Sequence, residues 1–139
     1  MTPVLAVVAA VIPGPEGVLL SRRLASAPMG GKWEFPGGKR EAGESPEQAL
    51  ERELAEELGV RSTVGRLVHA ASYRHPDIGV IEISFYAVRL GLGVPRALQS
   101  AELRWFPLSA LPDLDVPVAD RALVRQLASL GDPERIWAL

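Results

Sequence analysis

An α/β fold, with a mixed β-sheet sandwiched between helices, is what this sequence predicts. Three observations carry it. Strand-like segments outnumber helical ones, the two clear helices lie far apart in the chain, and the first strand candidate is apolar on consecutive residues.

Residues 4–12 read VLAVVAAVI, an uninterrupted apolar run between Pro3 and Pro13 that suits a central strand. PGPEG (13–17) marks a turn and VLLSRR (18–23) a second strand, so the two strands are expected to form a hairpin. Glycines 30, 31, 37, 38 and 43 surround KWEFP, giving a structured loop with room for a short strand at Trp33–Phe35. Ser45 opens the clearest element. With Pro46 at the first helical position and Gln48 completing a capping box, it predicts a helix running to Leu58 and stopped by Gly59. Segments 62–73, 78–90 and 103–106 then read as strands, with Pro76-Asp77 turning between the first two. A last helix spans 118–130, with Leu123, Leu127 and Leu130 on its apolar side.

The whole chain, 1–139, is expected to form one domain. At 47% apolar and 23% charged residues it has an ordinary globular composition, and its net charge of −2 argues against a nucleic acid polymer or an anionic membrane as partner. The opening apolar run is too short to span a bilayer and no basic segment precedes it. The absence of cysteine excludes disulfides, thiolate metal sites and a cysteine nucleophile. A soluble, cytoplasmic protein, monomeric or homodimeric, is the expectation.

The capped helix breaks a local rule. Leu50, Leu54 and Leu58 form its apolar stripe, and Glu53, Glu56 and Glu57 crowd an arc of about 100° beside that stripe rather than opposite it. Like charges at such spacing destabilise a helix by about 0.2–0.5 kcal/mol per pair, and Arg52 offsets only part of the repulsion. Three carboxylates tilted toward the protein suit a hard divalent cation, which takes oxygen ligands from protein and substrate phosphate together. Upstream, Gly37 and Gly38 allow close backbone approach, and Lys39 and Arg40 add positive charge. A metal-phosphate site follows.

Gly38, Glu44, Arg52, Glu53, Leu54, Glu56, Glu57, Gly59 and Val60 match every fixed position of the pattern G-x5-E-x7-R-E-U-x-E-E-x-G-U, so residues 38–60 resemble a Nudix box. KWEFPGGKREAGESPEQA resembles the MutT branch of that family in particular, and RWFPLSALP (104–112) is similar to the strand and turn that follow in it. The resemblance implies the Nudix fold and hydrolysis of a nucleoside triphosphate to monophosphate and pyrophosphate with Mg2+ or Mn2+. Under it, Glu56, Glu57 and the Gly37 carbonyl are metal ligands. Glu53 is the general base or positions water through a metal, Glu44 is a further ligand or supports one, and Arg52 orients the carboxylates. A metal-binding glutamate that the MutT branch often carries in a late loop is Gln99 here; Glu102 either replaces it or is an exposed loop charge.

For the base, the resemblance points to Asp120, which competes with a reading as N-cap of the last helix. An ionised aspartate only accepts hydrogen bonds, which permits several bases and selects none. Arg23 and Glu34 fall where the branch lines its nucleotide site, beside Gly38 and Lys39. Trp33 and Phe35 are stacking candidates, with Phe35 favoured as core, and Tyr73 and Phe85 are weaker ones. The best reading is a pyrophosphohydrolase for 8-oxo-dGTP, other modified nucleotides or CTP-like pyrimidines. Alternatives are a Nudix hydrolase of ADP-ribose or dinucleoside polyphosphates, and a non-catalytic nucleotide-binding module.

Overall fold

In the computed structural model, which describes residues 3–139, the strands are Val4–Val11 (β1), Pro13–Gly14 (β2), Gly17–Arg22 (β3), Trp33–Glu34 (β4), Gly37–Lys39 (β5), Ser62–His75 (β6), Gly79–Leu90 (β7) and Glu102–Phe106 (β8). The helices are Pro46–Leu58 (α1) and Arg121–Ala128 (α2). A mixed sheet runs β5-β1-β7-β6, with β1 parallel to β7 and the other pairs antiparallel. A second, antiparallel sheet is centred on β3, which pairs along one edge with β8 and along the other with β2 and β4 in succession.

The expected hairpin between the first two long strands forms only at its tip, and β1 and β3 do not pair along their length. Both edges of β1 are taken by β5 and β7. Pro13 has no amide proton to extend that ladder, so the chain leaves the mixed sheet there; Pro13–Gly14 fold back on Gly17–Val18, and the Leu19 amide donates to the Ile12 carbonyl at 3.1 Å.

Strand alternation divides the core into two layers. Ala9, Val11, Phe85 and Ala87 face Leu123, Val124 and Leu127 of α2, whereas Val8, Ala10, Tyr86 and Val88 face Leu50, Leu54 and Leu58 of α1. The predicted α/β/α sandwich is thus the observed arrangement around the mixed sheet. Each fully buried leucine contributes about 1.5–3 kcal/mol relative to exposure.

At the start of α1, the Gln48 amide donates to Ser45 Oγ at 3.1 Å and the Ser45 amide donates to Gln48 Oε1 at 2.9 Å. Gly59 ends the helix in the left-handed conformation, at φ 71°. The last helix is shorter than predicted. Val118–Asp120 form a 3-10 turn, α2 stops at Ala128, and the tail closes with another 3-10 turn, Pro133–Ala138. Among the described residues no helix is long and apolar enough to cross a membrane.

Candidate active site

Residues of β3 alternate between the two layers, and this decides which candidates meet. Leu19 and Ser21 point toward α1, where Ser21 Oγ donates to Glu57 Oε1 at 3.3 Å. Glu57 Oε2 accepts from the Gly37 amide at 3.1 Å, tying α1 to β5. Burial pushes the Glu57 carboxyl up to about 7, against the pull of the Gly37 amide. Among the described residues, Glu57 has no cationic partner within ion-pair distance.

Arg52 organises the rest of the acidic cluster. Its guanidinium donates to Glu44 twice, at 2.7 and 2.9 Å, to Glu53 at 3.0 Å, to the Lys39 carbonyl at 3.0 Å and to Glu56 at 3.5 Å. The bonds from Arg52 bring the Glu44 carboxyl down to about 2, helped by the Glu41 amide. Glu53, partly buried, is instead raised by that burial, with Arg52 opposing. Its carboxylate lies against Gly38: a Cβ built there would sit 2.4 Å from Glu53 Oε2.

On the other side of β5 opens a cavity of about 470 Å³. Leu5, Val7, Ile81 and Ile83 line it from the mixed sheet, Gly37, Gly38 and Lys39 form one end, and Tyr73 and His75 of β6 form the other. Asp120 looks in from the 3-10 turn before α2. It is 5% exposed, and burial, followed by the charge of Glu34, pushes its carboxyl up to about 7. It occupies the N-cap position of α2, but its side chain makes no capping bond there. Arg23 donates to both oxygens of Glu34, at 3.1 and 3.0 Å, and to the Pro28 carbonyl at 2.6 Å. This pair stands between the cavity and a smaller cleft that Glu57 shares with Gln99 and Ser100.

A model of the NUDIX domain matches residues 2–127, with the acid helix and the glycine turn inside the match. The chain belongs to the Nudix family. It is 37% identical over 113 residues to the 8-oxo-dGTP diphosphatase of Escherichia coli K12, covering 81% of this chain and 87% of that protein. It is 33% identical over 139 residues to the CTP pyrophosphohydrolase of the same strain, covering 91% and 96% of the two chains. The solution structure of the E. coli ORF135 protein matches with a TM-score of 0.79 at 33% identity, over 93% of this chain and 91% of that one.

Within the Nudix box, Glu44, Arg52, Glu53 and Glu56 form one network and Glu57 a second contact, to Gly37. Among the described residues no three acidic or histidine side chains converge as a finished metal cage. The convergence of all three glutamates expected from the helical wheel is therefore partial: Glu56 is exposed, and Arg52 holds it together with Glu53. The donor set nevertheless fits a hard divalent cation. It is all oxygen, and the buried Glu57 lies near Glu34 and Glu53, whose negative charges raise it further.

Two predicted site residues are not brought here. Glu102 pairs with Arg22 across β3 and β8, so it projects to the opposite face from Ser21; there it bonds Arg104 and lies 3.8 Å from Arg22. Gln99 is the late-loop residue that reaches the Glu57 cleft. Trp33, opposite Arg22 on β4, is 9% exposed and packs edge-on against Phe106 at 4.8 Å, under Arg104. It is core. Phe35, expected as core, is buried against Phe85 and also lines the cavity.

The sequence reading missed the apolar floor, because Val7 and Ile83 carry the same alternating pattern as core positions. It also gave His75 no role. His75 lines the cavity, and its Nδ1 accepts from the Asp77 amide at 3.1 Å, which leaves the proton of a neutral ring on Nε2.

Proposed function

We propose that this chain is a divalent-metal-dependent nucleoside triphosphate pyrophosphohydrolase, acting on oxidised or otherwise modified nucleotides or on cytosine nucleotides. One observation carries the reading. Gly38 touches the Glu53 carboxylate and also lines the apolar cavity, so a phosphate chain and a base can be held by neighbouring parts of one site. The names of the two E. coli relatives support the same substrate class.

Mg2+, or Mn2+, would be held by Glu53, Glu56, Glu57 and the Gly37 carbonyl. It would neutralise the phosphates, acidify a bound water and stabilise the leaving oxygen. Glu53 takes the proton from the attacking water, whose oxygen bonds to phosphorus as the bridging P–O bond breaks, leaving nucleoside monophosphate and pyrophosphate. The burial that raises Glu53 makes it a better proton acceptor than a free glutamate. Arg52 keeps it aimed. Lys39, at the phosphate end of the cavity, offers a positive charge to the anion. Phe35 and the sheet floor exclude water from the base, and Asp120 addresses its polar edge. A cytoplasmic setting, where the nucleotide pool lies, fits this reading.

The test is pyrophosphate release with Mg2+ from 8-oxo-dGTP, dGTP, 2-hydroxy-dATP, CTP, dCTP, 5-methyl-dCTP, ADP-ribose and a dinucleoside tetraphosphate, at low substrate concentration. A high kcat/KM for one triphosphate class supports the proposal and selects the base. No release from any triphosphate refutes it.

A further inference from the structure

Asp120 leaves a chemical question open. In its ionised form the Asp120 carboxyl supplies acceptors alone, whereas base edges place a donor beside an acceptor. In 8-oxoguanine, N7–H adjoins the O6 acceptor; in cytosine, the amino group adjoins N3. A lone carboxylate meeting the donor of either base sets its negative charge against the neighbouring acceptor.

Tyr73 lies in position to correct this. It belongs to β6, opposite Ile81, and Ile81 in turn neighbours Leu5 on β1, so the three form one row across the cavity floor. β6 packs against the Val118–Asp120 turn, which brings Tyr73 and Asp120 to the same end of the cavity. Burial and the Asp120 charge both raise the Tyr73 phenol, so its hydroxyl keeps its proton. That hydroxyl takes no hydrogen-bond partner among the described residues, although the ring is half-buried. Lys39 and Gly38, which lies against Glu53 of the acidic helix, are at the opposite end, where the phosphates go, which leaves the β6 end to the base.

We propose that Tyr73 is a second base-reading residue, whose hydroxyl donates to the acceptor next to the base donor that Asp120 binds. With Asp120 ionised, the pair reads a donor-acceptor edge that neither residue reads alone. The inference rests on the nucleotide reading given above.

The experiment compares kcat/KM for Tyr73→Phe and the unmodified protein on matched substrates. 8-oxo-dGTP is set against 8-oxo-dATP, which has an amino donor in place of O6, and dCTP against 3-deaza-dCTP, which lacks N3. Loss of one neutral hydrogen bond lowers kcat/KM by about three- to tenfold. The expected result is that loss for 8-oxo-dGTP or dCTP with no change for the matched analogue, and no further loss when Asp120→Asn is already present. The ratio within each substrate pair is independent of the folded fraction, so misfolding cannot imitate the effect. An unmodified protein that turns these substrates over, with ratios that Tyr73→Phe leaves unchanged, overturns the proposal alone. An unmodified protein that cleaves none of these four overturns this inference, and one that releases pyrophosphate from no triphosphate at all overturns the nucleotide reading with it.

Discussion

Arg52 grips Glu44 with two parallel hydrogen bonds, Nε to Oε2 at 2.7 Å and Nη2 to Oε1 at 2.9 Å, and from the same guanidinium reaches Glu53 at 3.0 Å. A planar fork can do this, and a lysine ammonium cannot. Glu44, eight residues away on the loop before α1, is therefore part of the device that aims the proposed base. Arg52→Lys keeps the charge and loses the fork. We expect kcat to fall about 10–100-fold, the range for removing a group that orients a catalytic ligand, with a smaller change in KM. Equal losses in Glu44→Gln and the double variant would show the two acting as one unit; additive losses would refute it.

Gly38 bears on the same carboxylate from the other side. Because a Cβ at this position would come within 2.4 Å of Glu53, Gly38→Ala must displace either the β5 backbone or the carboxylate. Turnover should fall by at least about tenfold while the melting temperature changes little, since the carboxylate is at the end of a flexible side chain. Full activity in this variant would mean that Glu53 has no fixed position to lose.

Glu53→Gln should lower kcat by about a hundredfold or more and leave nucleotide affinity nearly unchanged, as expected for a group that acts on the attacking water. Steady-state kinetics with parallel binding measurements decide this. Near-normal turnover would remove Glu53 as base.

Metal and proton compete at Glu57. Its folded-state value of about 7 lies above that of an unfolded glutamate, so its contribution to stability is complete below about 4.3 and is lost as pH rises through 7. Without metal, Glu57→Gln should therefore raise the melting temperature at pH 8 and not at pH 4. With Mg2+ the order should reverse, because ligand at a hundred times its Kd adds about 2.7 kcal/mol to a protein that binds it only when folded. Thermal unfolding at both pH values, with and without millimolar Mg2+, reads all four cases. A Mg2+ response that survives Glu57→Gln would place the metal elsewhere.

Asp120 has the same sign for a different reason. Burial and the nearby Glu34 charge hold it near 7, so its stabilising contribution disappears between about pH 3.9 and 7, whereas an asparagine side chain in its place, having no titration, loses nothing there. Asp120→Asn should flatten the pH dependence of stability over that window and change base preference more than overall rate. A substrate ranking that stays fixed would leave Asp120 a purely structural residue.

The Nudix box was legible in the sequence because its chemistry is local. Ser45, Pro46, Gln48 and Gly59 determine where α1 starts and stops, and a fixed helical period then places Arg52, Glu53, Glu56 and Glu57 relative to its leucines. Anything read across strands was less secure. Glu102 and Trp33 both occupy plausible distances along the chain from the box, yet their pairing with Arg22 turns both away from Ser21 and Glu57. A strand reverses its side chains at every residue, so a shift of one position in pairing exchanges the site for the opposite layer.

By itself, then, the sequence determined the capped acidic helix, the glycine turn before it, the layered α/β class and the Nudix box. The helix and its flanking turn depend on spacing over a few turns, where local geometry leaves little freedom, and the class depends on the number and order of the segments along the chain. Tertiary structure alone decided that Gln99 rather than Glu102 shares a cleft with Glu57, that Phe35 rather than Trp33 lines the cavity, and that Tyr73 and Asp120 line the same cavity. Those pairings join residues far apart in the chain through strand register and the packing of a 3-10 turn on β6, which no local pattern encodes.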